Sequence, residues 1–189
     1  MSATVSVVLN LLNALFVAGA VYAHLRKNTF AAVMKYFTVL SNLFCAVASL
    51  AVAVARLSGS VPQGVLLLKY VGTSAVTVTL LTVLFFLGPA YGYQFLLSGP
   101  DLWLHLICPV LAIVSYLVWD QPSAGFGVVF LGMLPVILYG LVYLNRVVLM
   151  PGEPRWEDFY GFNKNGKWYI SVMAMLAAAF LISLALWLA

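Results

Sequence analysis

Residues 168–188 read WYISVMAMLAAAFLISLALWL, and this stretch decides the fold. It carries no charged side chain and no proline. At about 1.5 Å per residue a helix of that length crosses a hydrocarbon core about 30 Å thick. Lipid offers no water to the backbone N–H and C=O groups, so a single apolar run of this kind crosses as a helix that bonds itself. Five earlier runs of similar length predict further spans at about 4–25, 31–56, 65–88, 102–119 and 124–148.

The composition of the whole chain agrees. Of 189 residues, 65% are hydrophobic and 7% charged, and the mean hydropathy is +1.08. Soluble domains carry about a quarter charged residues. The expected fold is an all-α polytopic integral membrane protein, a six-helix transmembrane bundle forming one domain over 1–189. The chain begins Met-Ser-Ala-Thr without a positive n-region, so the first run reads as a retained span. Trp103, Trp119, Trp156, Trp168 and Trp187 fall at or near proposed span ends, where an indole keeps its ring in lipid and its N–H wet. Pro109 and Pro135 lie inside spans and predict kinks.

Charge and cysteine narrow the function. Nine Lys plus Arg against five Asp plus Glu give a net charge of +4, but the cations are scattered. No basic face follows a phosphate backbone, so nucleic acid is not an expected partner. Cys45 and Cys108 sit inside apolar runs without metal-ligand spacing. Glycine-rich phosphate loops, paired-histidine motifs and haem ligand patterns are absent from the sequence, so no cofactor and no metal is expected. The expected surroundings are the lipid bilayer and the expected ligand a lipid or fatty acyl ester.

With six spans, the connections at about 26–30, 89–101 and 150–167 share one face, called odd here, and both termini share the other. Arg26, Lys27, Lys35, Arg146, Arg155, Lys164 and Lys167 lie nearest the odd face, against Arg56 and Lys69 on the even face. That asymmetry predicts odd-face loops in the cytoplasm and termini outside. No acid falls near the middle of a proposed span, which argues against a proton pump or a carboxylate-based cation transporter.

The chemistry-bearing residues near the odd face are few. Thr38 reads as about two turns inside the second span and His105 as about one turn inside the fourth. Ser41 and Asn42 follow Thr38 by three and four residues, on the same helical face. Asp101 precedes His105 by four, where its carboxylate reaches an imidazole nitrogen and fixes the tautomer. A hydroxyl, an imidazole, a carboxylate and an amide are the parts for acyl transfer: nucleophile, base, orienting group and oxyanion donor. Each also has a plain structural use, the hydroxyls and amide as interhelical bonds, Asp101 as a helix N-terminal charge and His24 as an interfacial residue.

Lys35-Tyr36-Phe37-Thr38, followed by a fourth span opening Trp103-Leu104-His105 with Pro109 one turn on, resembles the androgen-induced and androgen-dependent multispan proteins. Those are intramembrane threonine hydrolases that cleave fatty acid esters of hydroxy fatty acids. The resemblance implies Thr38 as nucleophile and His105 as base. It rests on two short segments within a similar six-span plan. The run Thr38-Val39-Leu40-Ser41-Asn42 departs from the animal members, and Trp156 to Asn163 looks closer to bacterial relatives.

The expected activity is hydrolysis of a lipid ester, with Ser41 or Asn42 as oxyanion donor. The long fifth connection is expected to act as a lid, with Glu157 or Asp158 rivalling Asp101 as the orienting acid. Acyl transfer at the same site is one alternative. A non-catalytic binder or transporter of a small amphiphile is another, its path lined by Thr73, Ser74, Thr77, Thr79 and Thr82 of the third span.

Overall fold

The computed structural model describes residues 2–150 and 156–189. Glu153 and Arg155 lie outside them. Among the described residues, six helices are long and apolar enough to cross a membrane: Ala3–Leu25, Phe37–Leu57, Gln63–Tyr91, Gly99–Trp119, Val128–Leu149 and Trp168–Leu188. They are called the first to sixth spans below. The protein is an all-helical, multi-pass membrane bundle.

The first four spans close a ring in chain order, with the fourth packed back against the first. The third also carries the fifth and sixth on its other side, so it is the central helix. Its approach to the second span depends on Gly72, where an added Cβ would stand 2.9 Å from the Cα of Cys45. Small residues allow such backbone proximity, and in lipid, packing of this kind is a main source of helix association.

Side chains sort as a membrane requires. Leu15, Leu138, Met173 and Leu181 point outward, while Ser6, Asn10, Asn13, Ser49, Lys69 and Asp120 are buried inside the ring. Asp120, just past the fourth span, accepts hydrogen bonds from Ser6 Oγ at 2.8 Å, Asn10 Nδ2 at 2.7 Å, Ser115 Oγ at 2.7 Å and Arg56 Nη2 at 2.8 Å. Lys69 Nζ donates to Asn10 Oδ1 and Ser49 Oγ, each at 2.8 Å. Asn10 therefore links the lysine to the aspartate. Burial alone would raise the Asp120 carboxyl, but its hydrogen-bond donors outweigh that and hold it below the ordinary carboxylate value.

This network corrects one expectation. Lys69, counted above with the even face, is fully buried inside the bundle. The sequence signal was a polar stripe, Ser6, Asn10 and Asn13, at helical spacing in the otherwise apolar first span.

Span boundaries and local helix geometry also differ from the hydropathy reading. The chain forms a short helix at Phe30–Met34, and the second span starts only at Phe37 after an extended Tyr36 with ψ of 131°. The third span continues to Tyr91 through a π-helical turn at Val83–Leu87. Another π-helical turn, Trp103–Ile107, precedes Pro109, whose ring cannot donate to the carbonyl four residues back, that of His105. Helix Val128–Leu144 runs through Pro135.

Candidate active site at the odd face

The break at Lys35 and Tyr36 moves Thr38. It is the second residue of its helix, in the first turn, rather than two turns deep. Tyrosine hydroxyls from elsewhere satisfy the backbone groups that the break exposes. Tyr139 donates to the Lys35 carbonyl at 2.7 Å, and the Phe37 N–H donates to the Tyr160 hydroxyl at 3.0 Å. Thr38 thus sits at the positive end of a helix dipole, a setting that favours a developing negative charge nearby.

His105 is buried in the π-helical turn at the head of the fourth span. Its Nδ1 lies 2.7 Å from the Leu96 carbonyl oxygen. A carbonyl only accepts, so Nδ1 carries the proton and the neutral ring keeps its Nε2 lone pair. The chain reaches this position by turning at Gly92, whose φ of +92° suits glycine, before the short helix Tyr93–Leu96. Tyr93 anchors the turn by donating its hydroxyl to the Leu84 carbonyl at 2.7 Å.

Thr38 and His105 line one cavity of about 720 Å³, together with His24, Lys35, Asp101 and Glu157. Thr38 also lines a second, apolar cavity of about 140 Å³ between the third, fifth and sixth spans, walled by Val78, Val136, Met175 and Leu176. Tyr160 lines both as well. The threonine therefore stands between a greasy compartment and a polar one.

The supporting residues fall out differently from the sequence reading. Asp101 does not hold His105; its Oδ1 lies 3.2 Å from Nε2 of His24, which joins the first and fourth spans. The π-helical turn between Asp101 and His105 alters the four-residue register on which that expectation rested. Asp158 does not hold it either. Its Oδ1 accepts from the Tyr143 hydroxyl and the Phe162 N–H, each at 2.8 Å, and its Oδ2 accepts from the Asn163 N–H at 2.7 Å, so it organises the loop. Glu157 lines the larger cavity, but the partner at Nδ1 is the Leu96 carbonyl.

Ser41 and Asn42 are structural ties here rather than oxyanion donors. Asn42 Nδ2 donates to the carbonyls of Thr38 at 2.8 Å and Leu104 at 2.9 Å, which uses both its hydrogens. Ser41 donates to the Thr38 carbonyl at 3.2 Å and shares a 2.9 Å hydrogen bond with Thr79. Both residues clamp the first turn of the second span against its neighbours. Of the third-span hydroxyls, Thr79 and Thr82 line the apolar cavity, whereas Thr73 and Ser74 are fully buried.

The fifth connection packs onto the bundle as an aromatic cluster. Tyr143 meets Trp156, Phe159, Tyr160 and Phe162 with ring centroids 5.1–6.3 Å apart. Lys35 Nζ lies 5.3 Å from the centre of the Phe159 ring, a cation–π distance that ties this segment to the broken helix start. Sequence reasoning placed Tyr160 only among the aromatic residues of the fifth connection, as lid or anchor, and did not single out Tyr139 or Leu96, because each acts through a hydroxyl or carbonyl whose target is remote along the chain.

No family model, curated protein or solved structure matches the chain.

Proposed function

We propose that the protein is an intramembrane hydrolase of fatty acyl esters, with Thr38 as nucleophile and His105 as general base. The observation that carries this reading is the position of Thr38 on the wall shared by the apolar cavity and the polar cavity that holds His105. An acyl chain in the first cavity brings its ester carbonyl to the threonine, while the alcohol part and the hydrolytic water occupy the second. Thr38 Oγ1 bonds to the carbonyl carbon as His105 Nε2 takes the hydroxyl proton. The intermediate collapses, the alcohol leaves with the proton from His105, and water repeats the sequence on the acyl-threonine to release the acid. The resemblance to intramembrane threonine hydrolases supports the same two roles.

The test is covalent. An alkyl fluorophosphonate is expected to modify the wild-type protein on Thr38, mapped by mass spectrometry, and to leave Thr38→Ala unmodified at an unchanged thermal midpoint. Undiminished labelling of Thr38→Ala rejects the assignment. Lipid mass spectrometry of the products separates hydrolysis from transfer of the acyl group to another alcohol.

The cation distribution supports a cytoplasmic odd face with both termini outside. With Lys69 inside the bundle, Arg56 alone is left of the two even-face cations, and it is paired with Asp120. A cysteine placed at exposed Lys164 is expected to resist membrane-impermeant maleimide in intact cells and to react once they are opened. Reaction in intact cells reverses the orientation.

A further inference from the structure

The hydrolase reading leaves the oxyanion without a side-chain donor, because the hydrogens of Asn42 are committed and Ser41 is bonded to Thr38 and Thr79. Three tyrosines meet beside Thr38, and their hydroxyls are not equivalent. Tyr139 gives its proton to the Lys35 carbonyl at 2.7 Å. Tyr143 gives its proton to Asp158 at 2.8 Å and accepts the Tyr160 N–H at 3.1 Å. Tyr160 accepts from the Phe37 N–H and has the Thr38 and Tyr139 side chains within hydrogen-bonding reach, and among the described residues no carbonyl or carboxylate takes its own proton. Its hydroxyl neighbours the Thr38 side chain, and it lines both cavities.

We propose that Tyr160 is a catalytic residue of this site, donating a hydrogen bond from its hydroxyl to the ester carbonyl oxygen as that oxygen becomes negative. The proposal rests on the hydrolase reading. As Thr38 Oγ1 bonds to the carbonyl carbon, the carbonyl π pair moves onto its oxygen, and the Tyr160 O–H points its dipole there without transferring its proton. The Phe37 N–H bonded to the phenol oxygen polarises that O–H further. Burial pushes the phenol up to about 12, and hydrogen bonds from Phe37 and Thr38 only partly offset this, so the group stays protonated and able to donate at neutral pH. Carried by the fifth connection, the donor also gives the aromatic cluster a use beyond anchoring: it delivers one hydroxyl to the start of the second span.

The experiment compares the full-length wild type with Tyr160→Phe in detergent, using a p-nitrophenyl acyl ester, an alkyl trifluoromethyl ketone and the matching saturated alcohol. The ketone adds to Thr38 as a hemiketal and carries the oxyanion, whereas the alcohol does not. Tyr160→Phe is expected to lower kcat about 100-fold, the usual cost of losing one oxyanion donor, with KM within about twofold. Ketone affinity should fall by a similar factor and alcohol affinity should hold. An unchanged kcat, or equal weakening of both ligands, overturns the proposal and assigns Tyr160 to packing. A second variant guards against a folding defect: difluorotyrosine at 160 keeps the shape and acidifies the phenol, so the alkaline limb of kcat should move to lower pH. An unmoved limb overturns the proposal. If fluorophosphonate labels Thr38 while Tyr160→Phe behaves as wild type, the hydrolase reading stands and only the tyrosine assignment falls. If the wild type neither turns over the ester nor labels at Thr38, both fall together.

Discussion

Asp120→Ala is expected to destabilise the bundle by about 3–5 kcal/mol, the range for removing one partner of a buried ion pair. The carboxylate is fully buried and receives side chains from two other spans and from its own helix: Ser6 and Asn10, Arg56, and Ser115. Alanine removes the charged acceptor shared by the Arg56 guanidinium and these neutral donors, leaving Arg56 only the Trp119 carbonyl and Asn10 only Ser6 to bond. It also loosens Asn10, which supports Lys69. Denaturant titration of the purified protein by circular dichroism measures the change. A loss below about 1 kcal/mol would mean that the network does not hold the four-span ring together. The paired replacement Arg56→Met with Asp120→Leu should recover much of the stability, since exchanging a buried ion pair for apolar side chains removes both desolvation costs. Because the folded carboxyl lies below its ordinary value, its contribution is full above about pH 4 and is lost as the pH falls through the folded value. Acid should therefore weaken the wild type more than the paired variant.

His105→Ala is expected to lower ester turnover by 10²–10⁴-fold, the usual contribution of a positioned general base. The effect on folding should be small, because the imidazole makes one hydrogen bond, to the Leu96 carbonyl, worth about 1 kcal/mol. Since the ring borders a cavity of about 720 Å³, added imidazole should enter the vacated space and restore part of the rate. A merely structural histidine would not respond in that way. Half or more of wild-type activity in His105→Ala, measured with the same p-nitrophenyl ester, would exclude it as the base and direct attention to His24 in the same cavity.

Much of the fold was legible because membrane insertion is governed by local composition. A run such as 168–188 needs no knowledge of its neighbours to be a helix, and its observed bounds are Trp168–Leu188. The second span shows where that reasoning stops. Hydropathy continues smoothly through 31–56, yet the helix is broken at Lys35 and Tyr36, where Tyr139 and Tyr160 supply hydrogen bonds from more than 100 residues away. The i, i+4 argument for Asp101 and His105 failed for a related reason, since it assumed an unbroken α-helix where the chain forms a π-helical turn. Lys69 was misplaced because its nearness to a span end in sequence says nothing of whether its ammonium faces water or an asparagine.

By itself, then, the sequence determined that the chain is a six-span helical bundle, because a dehydrated backbone has no other way to satisfy its own hydrogen bonds across lipid. It also limited the chemistry to hydroxyls, amides and imidazoles near one face. Only the tertiary structure decided which of them meet: Thr38 in a first helical turn between two cavities, His105 held by a carbonyl, and Asp120 drawn inward by donors from several spans. Those outcomes depend on polar partners distant in the chain, and their proximity is set by how the helices pack, which no local pattern encodes.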